Sequence, residues 1–106
     1  MLSKDQFVEA LHKAVELRGE DYVDPHVMSG GFMCLYVTDR ESDPQPGCLV
    51  GTAVYLATGE FISEEYEGTD PTDLVDYLSP EAIEVAVRVQ VLQDVGETWG
   101  TAVQAA

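Results

Sequence analysis

The sequence predicts one α+β domain, predominantly α: four to five helices packed around a central apolar helix, with a small β element near residues 32–37. Three observations lead there. Pro46–Gly59, PGCLVGTAVYLATG, holds no charge in a chain that is 24% charged. As a helix it is apolar almost all round, which places it inside a domain. Helix starts are marked by Ser3-Lys4-Asp5-Gln6, Asp70-Pro71 and Ser79-Pro80, all combinations that satisfy or remove unpaired N–H groups. Phe32–Val37, FMCLYV, is short, aromatic and β-branched after a glycine pair, and reads as a buried strand. The 106 residues fit a single domain, 1–106, expected to bury somewhat under ~70% of its unfolded surface.

In chain order, Ser3 and Gln6 form a capping box, with Leu2 and Phe7 placed as its hydrophobic staple. Phe7, Leu11, Ala14 and Val15 recur at helical spacing, and Gly19 ends a helix over Lys4–Arg18. Glu20–Gly31 is polar, broken by Pro25 and Gly30-Gly31, and reads as a loop pinned by Tyr22 and Val23. The strand that follows needs a partner: Tyr22–Val23, His26–Met28 or a return strand near Cys48. Asp39–Pro46, DRESDPQP, is a surface turn, and Gly59 stops the central helix.

Phe61–Tyr66 is read as one further helical turn, and Asp70-Pro71 opens a helix to about Leu78. Ser79-Pro80-Glu81 starts the next, from Pro80 to Val95 before Gly96. There Val85, Val87, Val89 and Val91 alternate with Ala86, Arg88 and Gln90, the period of a strand. Length decides for helix, since strands of this extent are rare. Thr98 caps a last helix, Trp99–Ala105, folded back as a hairpin.

Charge bounds the function. Twenty acidic residues stand against five basic ones, a net charge of −15. Residues 1–18 are neutral, and no Lys or Arg occurs from Glu41 to Val87. Direct nucleic-acid binding is not expected, because neutralising phosphates takes clustered Lys and Arg. No apolar run approaches the ~18 residues of a membrane span, and MLSKDQFVEA lacks the pattern of a secretory signal. The expectation is a cytoplasmic protein. Two cysteines without a C-x-x-C, Cys34 and Cys48, are expected there as free thiols.

RGEDYVD at 18–24, CLYV at 34–37, PGCLVGTAVYLATG at 46–59 and DVGETWGTA at 94–102 resemble, in that order, a group of small hypothetical proteins from actinobacteriophages and their actinobacterial hosts. The group has no assigned activity, so the resemblance implies no catalytic or binding residue. It implies a setting, a phage or prophage product in a bacterial host cytoplasm, and a class that often binds and redirects host proteins.

Candidate sites compete with plainer readings. Cys34, Cys48, His12 and His26 carry the residue types of a zinc site without the two-to-five-residue spacing of ligand pairs; the plainer reading is two buried thiols and two surface histidines. Cys48 at a helix start has the dipole that activates a thiol, but its flanking residues favour burial. Asp21, Asp24 and His26 could form an acid–base or metal site or a solvent-facing loop, and no recognised catalytic motif accompanies them. No cofactor is expected.

The informative tract is Glu60, Glu64, Glu65, Glu67, Asp70, Asp73, Asp76, Glu81 and Glu84. It reads as a solvated face, as a docking face for a protein with a basic surface, or as a nucleic-acid mimic built on the row Asp70, Asp73, Asp76. Interleaved Phe61, Ile62, Tyr66, Leu74, Val75 and Tyr77 suit a protein interface. Docking therefore ranks above mimicry, with Glu64, Glu65, Tyr66, Glu67, Asp70, Asp73, Asp76 and Tyr77 as partner-binding residues. The reading is non-enzymatic, and the sequence leaves the oligomeric state open.

Overall fold

The computed structural model describes residues 1–23, 35–38, 40–67 and 71–106. Helix α1 spans Lys4–Arg18, and its capping box forms as the sequence requires. Gln6 N–H donates to Ser3 Oγ at 3.2 Å, and Ser3 N–H to Gln6 Oε1 at 2.9 Å. Leu2 and Phe7 are both buried beneath it, and Gly19, at φ +100°, ends the helix.

The strand reading survives only in part. Phe32, Met33 and Cys34 lie outside the described residues, as do Asp24–Gly31 of the preceding loop. What is described is β1, Val37–Thr38, paired antiparallel with β2, Gln45–Pro46, in the register Val37↔Pro46 and Thr38↔Gln45. Among the described residues the partner is the return strand near Cys48; His26–Met28, another partner considered, lies outside them.

The uncharged stretch holds α2, Leu49–Thr58, preceded by Cys48 at the N-cap; Pro46 belongs to β2 and not to the helix. Leu49 through Val54 are fully buried, Thr52 among them. The second half emerges, and Leu56 is 37% exposed. The helix packs chiefly on α1 and also on α3, Pro80–Asp94. Gly51 lets the backbone at Tyr36, just ahead of β1, lie directly against α2: a Cβ there would overlap the Tyr36 carbonyl and sit 2.8 Å from Tyr36 Cα.

Helix α3 resolves the alternating valines in favour of helix. Its buried stripe is Ala82, Val85, Ala86, Val89, Gln90 and Gln93, spaced three or four apart as one helical face requires. Val87 is half-buried and Val91 is 57% exposed. Two core-facing positions are therefore glutamines, which the apolar pattern did not reveal. Ser79 caps α3 through Ala82 N–H, and Pro80 stands in its first turn. The chain turns through Gly96, at φ +92°, into α4, Trp99–Val103, capped by Thr98. Among the described residues there are four α-helices and one two-stranded sheet, a mostly helical α+β fold.

The expected helix over residues 70–78 does not form. A 3-10 turn at Pro71–Asp73 is followed by turns, and the described residues hold a second 3-10 turn at Glu64–Tyr66. Two forces oppose the helix. Proline at 80 disfavours helical backbone at Ser79, leaving a segment too short to be stable alone. Leu2 then draws residues 77–79 into a parallel bridge, its N–H donating to Tyr77 O and its carbonyl accepting from Ser79 N–H, both at 2.8 Å.

Candidate functional site: the acidic face of residues 60–77

Residues 60–67 cross the surface as a strap between α2 and the turn at Pro71–Asp73. Ile62 is fully buried, while Glu60, Ser63, Glu64 and Glu65 on either side of it are exposed. Phe61 stacks on Tyr55 of α2, centroids 4.5 Å apart with 18° between the rings. In the following segment Pro71, Leu74 and Leu78 are buried, and Asp73, Val75 and Asp76 face solvent. Val75, at 55% exposure, is an apolar side chain standing between exposed carboxylates.

Two tyrosines join the strap to that segment. Tyr66 and Tyr77 meet edge to face at 5.7 Å, within the range where aromatic pairs attract beyond simple burial. Tyr66 Oη donates to Asp76 Oδ2 at 2.7 Å, and Ser63 N–H donates to Tyr77 Oη at 3.0 Å. The bond to Asp76 favours the protonated phenol, and with lesser help from desolvation and nearby negative charge it pushes the Tyr66 hydroxyl up to about 12.

Glu67 departs from its expected role. Its carboxylate turns inward and accepts from Tyr36 N–H at 2.7 Å, Val37 N–H at 3.1 Å and the Arg40 guanidinium at 2.8 and 3.2 Å. Its side chain is 14% exposed and that of Arg40 is 24%. A carboxylate holding two backbone donors and a guanidinium fork is a structural joint, not a free docking charge. Asp70 lies outside the described residues. Of the residues expected to bind a partner, the structure leaves Glu64, Glu65, Asp73 and Asp76 exposed, with Tyr66 and Tyr77 half-buried between them. Glu81 and Glu84 are exposed on α3.

The other candidates separate. His12 is exposed on α1, and Cys34 and His26 lie outside the described residues. Among the described residues, no group of three or more His, Cys, Asp or Glu is placed to hold a metal ion. Cys48 is fully buried and in a disulfide, so the expectation of a free thiol is corrected. Cys48 N–H donates to Leu35 O at 2.9 Å, setting the two chain segments side by side; the sequence holds one other cysteine, Cys34. Asp21 lines a shallow hollow of about 170 Å³ with Glu20, Thr98, Thr101 and Gln104, whereas Asp24 lies outside the described residues. The mimic reading loses its row, because Asp73 and Asp76 sit on a 3-10 turn and the turn after it rather than on one helical face.

Sequence reasoning missed Arg40 and Gln93. Arg40 is the last base before the base-free run, and an isolated cation at the edge of so much negative charge is a signal for an internal pair. Gln93 offered no comparable signal. Its Oε1 accepts from Leu49 N–H at 3.0 Å in the buried interior, doing for α2 what Cys48 at the N-cap does not. Among the described residues no helix is long and apolar enough to cross a membrane. Comparison with family models, curated proteins and solved structures finds no match to this chain.

Proposed function

We propose that this chain is a non-enzymatic docking protein that binds a protein partner with a basic surface through Glu64, Glu65, Asp73 and Asp76. The observation that supports this most is Val75. Val75 is exposed in the chain between exposed Asp73 and Asp76, and the Tyr66–Tyr77 pair of the same region supplies the aromatic content of an interface centre ringed by charge. No base between Glu41 and Val87 dilutes the field, so a basic partner is steered toward this face and turned to meet it. The resemblance to phage proteins suggests a host protein as partner and a bacterial cytoplasm as setting. The disulfide at Cys48 fits an oxidising compartment better, and the docking reading does not depend on which holds.

The test is affinity capture with Glu64→Lys, Glu65→Lys and Asp73→Lys combined. Asp76 is kept because it holds the Tyr66 hydroxyl. Substitutions at exposed positions usually shift stability by within ~0.5 kcal/mol each, so the variant is expected to fold, which its circular dichroism checks. The expected result is loss of the protein captured by the native chain. Equal capture by the variant contradicts the reading, and displacement of that protein by duplex DNA would favour mimicry instead.

A further inference from the structure

Among the described residues the strap over residues 60–67 makes few backbone bonds of its own. Tyr66 N–H reaches Ser63 O and Glu67 N–H reaches Glu64 O, each at 3.0 Å, and both bonds are local. Its hydrogen bonds to the other described residues run largely through side chains. Arg40 is central to them: its Nη2 donates to Ile62 O at 2.7 Å and to Glu67 Oε2 at 2.8 Å, bracketing the strap near both ends. Glu67 in turn takes the N–H groups of Tyr36 and Val37, which bond to a side chain where a sheet would supply another strand. One guanidinium and one carboxylate thus join β1, the turn after it and the strap.

We propose that the Arg40–Glu67 pair is a latch, and that both are positioning residues for the acidic face. Closed, it keeps Ile62 inward and sets Glu64, Glu65 and Tyr66 outward in one arrangement. Open, it frees two strand-edge N–H groups and the strap together. The geometry favours a latch over a passive ion pair. Each partner makes more than one bond, each is largely shielded from water, and screening acts weakly on such pairs. Its consequence for binding rests on the docking reading; the latch itself does not.

The experiment is amide hydrogen exchange on the free protein, comparing the native chain with Glu67→Gln, which keeps size and one acceptor but removes the charge. Exchange at Tyr36, Val37 and residues 63–67 is expected to rise about tenfold or more, while amides in the middles of α1 and α3 keep their native rates. Unchanged exchange at Tyr36 and Val37 overturns the latch. So does an equal rise across every helix, which would mark general destabilisation. Should Glu67→Gln fail to fold, Arg40→Lys keeps the charge without the fork, and the same local pattern is expected at smaller amplitude. Reduced capture by whichever variant shows the local rise supports the positioning role. Full capture despite that rise overturns the positioning role alone, and the Lys-substituted variant tests the docking reading separately.

Discussion

Two places in this molecule solve the same problem with different chemistry. At the start of α2 a backbone N–H, that of Leu49, is left without a helical partner in the interior, and Gln93 Oε1 accepts it. At β1 the N–H groups of Tyr36 and Val37 are accepted by the Glu67 carboxylate. The first acceptor is neutral and fully buried; the second is charged, 14% exposed and paired with Arg40. The difference follows from solvation. A carboxylate carried to the depth of Gln93 would cost several kcal/mol without a counter-ion, and the Asp94 side chain, which accepts from Gln93 Nε2 at 2.8 Å, would repel it. Where water and a guanidinium are both within reach, the stronger charged acceptor is tolerated.

The comparison can be broken at its buried end with the largest effect. Gln93→Leu keeps most of the volume and removes the acceptor, stranding Leu49 N–H; a loss of about 2–3 kcal/mol is expected in denaturant unfolding. A loss under ~0.5 kcal/mol would mean that Gln93 only fills space. Glu67→Gln retains one acceptor at a partly solvated site, so its cost is expected to be smaller, about 1–2 kcal/mol. The two variants should also differ in where they loosen the structure, the first around α2 and the second at β1 and the strap.

The smallest effect is confined to high pH. Tyr66 holds its proton to about pH 12 in the folded protein, against an ordinary value of 10.0. The folded state therefore binds the extra proton between those values, so this group's contribution is complete below pH 10.0 and fades as pH rises toward about 12. Phenolate titration by ultraviolet absorbance should show a step near pH 12 that Tyr66→Phe removes. Asp76→Asn should bring Tyr66 back toward 10.0, and Tyr66→Phe should flatten the decline of stability across that range. A Tyr66 that titrates at its ordinary value of 10.0 would show that the bond to Asp76 does not persist in solution.

Legibility in the sequence followed how local each cause was. Ser3, Gln6, Phe7, Leu11 and Gly19 carry α1 entirely within their own neighbourhood, and its bounds were readable to the residue. The start of α3 at Ser79-Pro80 was equally local. Helix 70–78 failed because Leu2, far away in sequence, pairs with residues 77–79, and no local signal at Asp70-Pro71 reports that. Glu67 reads as a free charge in the sequence because its partners lie about thirty residues earlier. Cys48 reads as a thiol in the sequence on grounds of compartment, whereas the bond from its N–H to Leu35 brings two chain segments together. Of the acidic face, the exposed carboxylates at 64, 65, 73 and 76 were readable from sequence; the tyrosine joint and the latch beneath them were not.

The face carrying Glu64, Glu65, Asp73, Val75 and Asp76 is the proposed meeting point with the partner. Its most direct measurement is hydrogen-exchange footprinting of the chain with its captured partner bound. Protection confined to residues 63–67 and 71–77 is the expected result. Protection instead on the exposed side of α1 around His12 and Glu16, or at Val91 and Val95 on the far end of the α3 hairpin, with residues 63–77 exchanging as in the free protein, would contradict it.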